Sequence, residues 1–319
     1  MSDPASTVGA RPAGQGGEAV VPARHPGRWL ALLTLAVLAA MALHLLVTNE
    51  RLEWPVVWRY LFSEPILTGV ARTLELTGIA MVMGLVIGIV VAIGRLSPNP
   101  VLSKVAWLYS WFFRGTPLLV QLLFWFYLSA LLPRISIGIP FGPELASAGT
   151  NTLITPFLAA TLGLGLNEGA YMSEIVRSGI LAVPRGQTEA GQAIGMSRGQ
   201  VMRRVVLPQA MRVIIPPTGN ETIGMLKYTS LVLVIGYAEL LTSASLIYSR
   251  TFQTIPLLIV AALWYLTITA VLSVAQYYVE RHFGRGFQVT PSRRTRPSRL
   301  LRARPAAPVE ATTSLRSAS

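Results

Sequence analysis

Nineteen consecutive residues, 29–47, contain no Asp, Glu, Lys or Arg. As a helix rising roughly 1.5 Å per residue, that run nearly spans a bilayer core of about 30 Å. A second apolar run, 69–96, is long enough to span with tilt. The chain is 52% hydrophobic and 13% charged, where a soluble domain carries about 25% charged residues. The charge that remains gathers at the ends and in a few loops. That unevenness indicates membrane spans rather than an apolar globule. The expected fold class is all-α, a polytopic membrane helical bundle.

About six spans are expected. Residues 1–28, rich in Gly, Pro, Ala and Arg, read as a disordered cytoplasmic tail. Residues 29–47 read as an N-terminal transmembrane helix. Ala40 and Ala42 would also suit the end of a signal peptide, but the long polar stretch before the run favours a retained anchor. The run 69–96 carries Gly84 and Gly88 at GxxxG spacing, which suits close helix approach. Ser97-Pro98-Asn99-Pro100 forms a tight turn. A third span, about 104 to 132, is interrupted by Arg114-Gly115-Thr116-Pro117, so it is expected to be kinked or partly unwound and shielded from lipid. A Gly/Pro-rich loop covers 133–151, and a fourth span runs over 152–180. A polar loop occupies 181–208. An apolar region at 211–246 contains Pro216-Pro217, a last span covers 256–278, and 281–319 form a basic cytoplasmic tail.

Lys and Arg counts orient the chain. With the N-terminus in the cytoplasm, Arg95, Lys104, Arg185, Arg198, Arg203, Arg204 and the tail lie inside. Only scattered residues such as Arg51, Arg59, Arg134 and Arg250 lie outside. Both termini and the 181–208 loop are then cytoplasmic. The net charge of +13 is read as the same positive-inside bias plus a solvated tail, with the lipid bilayer and not nucleic acid as partner. There is no cysteine, which excludes a disulfide, a thiolate metal site and a thiol nucleophile. No GxxxxGK[ST] stretch and no Ser-His-Asp set is present. The chain is therefore not expected to be an enzyme or to hold a metal.

The loop from Pro184 to Pro208 reads as two short helices with a hinge. Glu189 is expected in the first turn of the first helix, where a carboxylate suits the helix dipole. Gly195 is placed to end that helix in a left-handed conformation. Ser197 and Gln200 form a capping box for the second helix, and Pro208 is expected to stop it. Ala190, Ile194, Val201 and Val205 offer an apolar face, and Arg198, Arg203 and Arg204 a basic one. Such a hairpin can lie on anionic lipid or plug into a soluble partner, and periodicity does not choose between them.

The residue pattern does. Glu189-Ala190-Gly191, then Gly195, then Val205-Val206-Leu207-Pro208 resembles the coupling-loop signature of ABC importer permeases. That signature is Glu-Ala-Ala, three residues, Gly, nine residues, Ile, one residue, Leu-Pro. The spacing fits without gaps; Gly191 replaces the second Ala and Val205 the Ile. Gly169-Ala170-Tyr171-Met172-Ser173-Glu174-Ile175-Val176-Arg177 and Lys227-Tyr228-Thr229-Ser230-Leu231 look like flanking segments of polar amino-acid permeases. Phe113 to Leu118 and Thr73 to Thr77 also fit. In that subfamily Asp or Asn often stands where this chain has Tyr228. The resemblance covers roughly 69–280, outside the N-terminal helix and the basic tail. It implies a type I ABC importer transmembrane domain with an extra N-terminal span, in a bacterial cytoplasmic membrane. It further implies two copies of a separate ATPase, which bind ATP and magnesium, a second permease copy or paralogue, an extracytoplasmic solute-binding protein and an amino-acid substrate. Glu189, Ala190, Gly191, Gly195, Ser197, Leu207 and Pro208 would couple to the ATPase through the 188–206 hairpin.

Ionisable groups at membrane depth cost about 2.5–3.5 kcal/mol each on insertion scales, so they ask for a reason. Asn167, Glu168, Asn220, Glu221 and Lys227 lie within apolar runs; with Thr229 and Ser230 they are the expected substrate pathway. Glu168 or Glu221 would suit the ammonium or guanidinium of an amino acid. The plainer account is that Glu221 and Lys227 pair with each other and with backbone freed by Gly165, Gly169, Pro216 and Pro217. Glu174 with Arg177, and Arg72 with Glu75, sit at i,i+3 and are expected to pair within their helices. An ion-gradient-driven secondary transporter and a non-transporting membrane scaffold or sensor remain as alternatives. No internal repeat of the kind secondary transporters show relates the two halves.

Overall fold

The computed structural model describes residues 26–138 and 144–283. The two expected tails, 1–28 and 281–319, lie almost wholly outside the described residues. In chain order the helices begin with α1 (Pro26–Thr48), α2 (Trp54–Leu61), α3 (Glu64–Leu96), α4 (Pro100–Gly115), α5 (Leu118–Phe126) and α6 (Leu128–Leu131). A hairpin of β1 (Arg134–Gly138) and β2 (Glu144–Gly149) follows, then α7 (Thr150–Leu153) and α8 (Pro156–Leu181). The second half holds α9 (Arg185–Ala193), α10 (Arg198–Val201), α11 (Leu207–Tyr228), α12 (Leu240–Thr251) and α13 (Thr254–Phe283).

Among the described residues three helical segments are long and apolar enough to cross a membrane: Gly27–Thr48, Glu64–Leu96 and Thr254–Phe283. The pair Arg198–Ile235 and Leu240–Thr251, bent by 44°, would add a fourth. The six expected runs are therefore not six straight apolar helices. α8 has the length, 26 residues, but carries Asn167, Glu168, Glu174 and Arg177. The third run is divided into α4 and α5 as expected. Thr116 is extended, at φ −109° and ψ 142°, the conformation that a following proline imposes. The loop at 133–151 contains an antiparallel hairpin, with Arg134 opposite Gly149 and Ser136 opposite Ser147. Its alternation is too short to stand out in the sequence.

The contacts divide the chain into two units. In the unit built from 26–80, 118–164 and 226–268, the core includes Ile66, Leu76, Leu122, Leu164, Leu240 and Leu257. Trp264 Nε1 donates to the Leu61 carbonyl at 2.8 Å. Glu239, fully buried, caps α12: its oxygens accept from Leu241 N at 2.9 Å, Thr242 N at 2.7 Å and Thr242 Oγ1 at 2.8 Å. Tyr265 of α13 donates to the same carboxylate at 2.8 Å. Thr73 of α3 accepts from Leu240 N at 3.0 Å.

The second unit comprises 81–117, 165–225 and 269–283. Here the GxxxG expectation is met. A Cβ on Gly84 would lie 2.5 Å from Glu168 Cγ, and one on Gly88 2.5 Å from Met172 Cβ. On α8, Gly165 faces Met83 and Gly169 faces Ile87 in the same way. Paired glycines four residues apart on both helices thus let α3 and α8 interlock. Ala92, Val176, Ala210 and Ile214 form a further apolar cluster.

Candidate functional site

The polar loop folds as the capped helical hairpin that its sequence indicates. Pro184 precedes α9, and Gly195 ends it at φ +83°. Met196 N donates to the Gly191 carbonyl at 3.1 Å and Gly195 N to the Gln192 carbonyl at 2.9 Å, which is a Schellman stop. The capping box of α10 is complete: Gln200 N donates to Ser197 Oγ and Ser197 N to Gln200 Oε1. α9 packs on the segment after it through Gly191, where a Cβ would stand 3.0 Å from Val201 Cγ2. Gly191 thus permits this approach at the position where the resembling signature has its second Ala.

Three expectations about the loop are corrected. Glu189 is in the second turn of α9, because the helix already begins at Arg185; the end-of-helix dipole barely acts there. Pro208 does not stop the second helix. The chain passes through a π-helical turn, Met202–Val206, straight into α11. Leu207 N reaches the Met202 carbonyl, one residue further back than in an α-helix. That widening accommodates the proline ring, which an α-helical turn would crowd. Gln209 Nε2 donates to the nearby Val205 carbonyl at 2.9 Å. The apolar residues do not share one face: Val201 is buried and Val205 half-buried, whereas Ala190 is exposed and Ile194 is 79% exposed.

The polar candidates are distributed as follows. Asn167 and Glu168 lie on the buried face of α8, and Asn167 Nδ2 donates to the Phe113 carbonyl at 2.9 Å. Glu168 is buried, and its Oε1 has no hydrogen-bond partner among the described residues. Asn220 and Glu221 are on α11; Asn220 is exposed and accepts from Gln276 Nε2 at 3.2 Å, and Glu221 is half-buried. Gln276 also donates to the Pro216 carbonyl at 2.9 Å and to Glu280 at 2.7 Å. Lys227 is exposed and makes no ion pair among the described residues. Thr229 is buried and donates to the Leu226 carbonyl, while Ser230 donates to that of Lys227. These last three residues belong to the other unit from Glu168 and Glu221.

Glu174 and Arg177 pair as expected. Arg95 and Arg114 gather around the same carboxylate, at 3.8 and 3.9 Å, a meeting that no local residue pattern announces. Arg72 does not pair with Glu75; it donates to the Ala238 carbonyl at 3.3 Å. Glu239 was also missed. Its signal was a lone acid directly before an apolar helix, the position of a cap.

Residues 84–285 match the family described as binding-protein-dependent transport system inner membrane component. The chain is 49% identical over 267 residues to the arginine transport system permease protein ArgU of Corynebacterium glutamicum, covering 83% of each chain. It is 38% identical over 242 residues to the L-cystine transport system permease protein TcyB of Bacillus subtilis, covering 75% of this chain and 95% of that one. Among solved structures it resembles an amino acid ABC transporter crystallised with histidines, at 35% identity and a TM-score of 0.59, covering 68% of this chain and 94% of that one.

Proposed function

Because this chain belongs to the family of binding-protein-dependent transport system inner membrane components, we propose that it is the permease of an ATP-driven importer whose solute is an amino acid. Membership makes it a multi-pass subunit of the inner membrane rather than an enzyme, with ATP hydrolysis in a separate subunit and a second permease alongside. The relatives named for arginine and cystine support amino acids as the solute class, and L-arginine is the first to test. The proposed assembly has two ATPase copies on the cytoplasmic side. It also has an extracytoplasmic binding protein that delivers the solute.

The coupling assignment rests on one observation: the hairpin is continuous with a helix that carries pathway candidates. α10 runs through the π-helical turn into α11, which bears Asn220 and Glu221. A push on the capped hairpin is therefore passed along one continuous helical element. Exposed Ala190 and Ile194 give the hairpin an apolar surface for a groove on the ATPase, while Glu189, Gly191, Gly195, Ser197, Leu207 and Pro208 set its shape. Asn167, Glu168, Asn220, Glu221, Lys227, Thr229 and Ser230 are the proposed solute-path residues. The unpaired Glu168 oxygen supports that reading, since a substrate ammonium or guanidinium would satisfy it.

The test is reconstitution of the permease with its ATPase and binding protein, followed by uptake and ATPase assays across a panel of amino acids. Stimulation by at least one amino acid is expected, with uptake that stops when ATP is removed. Uptake that survives ATP depletion and collapses with the proton gradient would transfer the case to a secondary transporter. Stimulation by none of the panel would remove the solute class.

A further inference from the structure

Three guanidinium groups converge on one carboxylate, that of Glu174, which is not among the proposed pathway residues. Arg177 holds Glu174 in a two-point contact, Nη2 to Oε1 at 2.5 Å and Nε to Oε2 at 3.4 Å. Arg95 Nη1 and Arg114 Nη1 stand 3.8 and 3.9 Å from Oε2, beyond hydrogen-bond reach. Neither Arg95 nor Arg114 donates a side-chain hydrogen bond among the described residues; Arg114 is open to water at 43% exposure, but the Arg95 side chain is only 18% exposed. Arg114 is also held over the Tyr171 ring, 5.5 Å from its centroid. Three cations share one anion, and two of them reach it only at ion-pair distance, without a hydrogen bond. A charge as shielded as that of Arg95 ordinarily finds hydrogen-bond partners, and a planar guanidinium fork matches carboxylate and phosphate oxygens.

We propose that Arg95, Arg114 and Arg177, positioned by Glu174, bind an oxyanion from outside the chain: a carboxylate or a phosphate group. The site stands whether or not the transported solute is an amino acid. Two sources fit the chemistry. One is the phosphate of an anionic lipid, because Arg95 lies in the last turn of α3, beside the turn that charge counting puts at the cytoplasmic face, where basic pockets between helices take headgroups. The other is the carboxylate of a solute leaving toward that face.

The experiment uses the purified permease–ATPase complex, unmodified and as Arg95→Gln and Arg114→Gln. Native mass spectrometry titrates phosphatidylglycerol against phosphatidylcholine. A radioligand assay compares L-arginine with agmatine, which keeps the guanidinium and lacks the carboxylate. Each variant is expected to lose at least ~10-fold in affinity for phosphatidylglycerol or for L-arginine, with phosphatidylcholine and agmatine unmoved. Loss of phosphatidylglycerol binding assigns a lipid, and loss of L-arginine binding assigns the solute. Arg95→Lys, which keeps the charge without the fork, is expected to fall between, whereas a merely structural arginine would not separate the probes. Wild-type affinity for both anionic probes in the variants overturns the site. Should Arg95→Gln fail to assemble, the more exposed Arg114→Gln decides alone.

Discussion

Gly195 and Gly84 show two ways in which the lack of a side chain matters. Gly195 stands at φ +83° with nothing within 4 Å of where a Cβ would be. Any L-residue there meets backbone strain of about 1–2 kcal/mol, but no steric obstacle inside this chain. Gly195→Arg is accordingly expected to reach the membrane at near-normal level and to lose the ATPase on co-purification. Gly195→Asn, whose side chain tolerates the left-handed region, should retain it. Undiminished co-purification of Gly195→Arg would remove the docking role of the hairpin. Gly84 is the opposite case, since its missing Cβ is the space that Glu168 occupies. Gly84→Leu should destabilise by about 1–3 kcal/mol through overpacking, seen as a lower melting temperature in detergent. Gly78→Leu, on the same helix with nothing within 4 Å, is the control and should change little.

At the scale of elements, Glu239 ties three helices together. Its carboxylate caps α12 and accepts the Tyr265 hydroxyl of α13, and Thr73 of α3 binds the start of α12 beside it. Glu239→Ala removes a cap, worth about 1 kcal/mol, and the hydrogen bond from the Tyr265 hydroxyl, worth about 1.5–3 kcal/mol to a charged acceptor. A thermal-stability loss of that combined size is expected in detergent. Glu75→Ala, an exposed acid on α3, should lose almost nothing, and equal losses in both would end this account. The contrast between Glu239 and Gly195 explains what the sequence reveals. The hinge at Gly195, the Ser197–Gln200 box and the break at Thr116–Pro117 are made by neighbours along the chain, so their residue types announce them. Glu239 is recognised through Tyr265, 26 residues away, and Arg95 and Arg114 through Glu174 on another helix; no local pattern encodes those meetings. Pro208 misleads because a π-helical turn absorbs it, and nothing in its own residue type marks the turn that precedes it.

Orientation belongs to the whole molecule, and its positive charges predict it. Lys and Arg resist transfer to the outer face. Arg185, Arg198, Arg203 and Arg204 crowd the hairpin loop, whereas Arg250 stands almost alone near the end of α12. The loop should then be cytoplasmic and the α12–α13 junction extracytoplasmic. If Arg198–Ile235 and Leu240–Thr251 make one bent span, residues before and after it face opposite sides. The chain lacks cysteine, so single introduced thiols can report this directly. Gln192 in α9 is exposed, and Phe252 after α12 is 89% exposed. A membrane-impermeant maleimide is expected to label Phe252→Cys on intact spheroplasts and to leave Gln192→Cys untouched. In inverted vesicles the pattern should reverse. Labelling of both from one side would mean that the bent pair crosses twice or not at all. The inverted pattern would place the hairpin outside, away from any ATPase, and remove the coupling role with it.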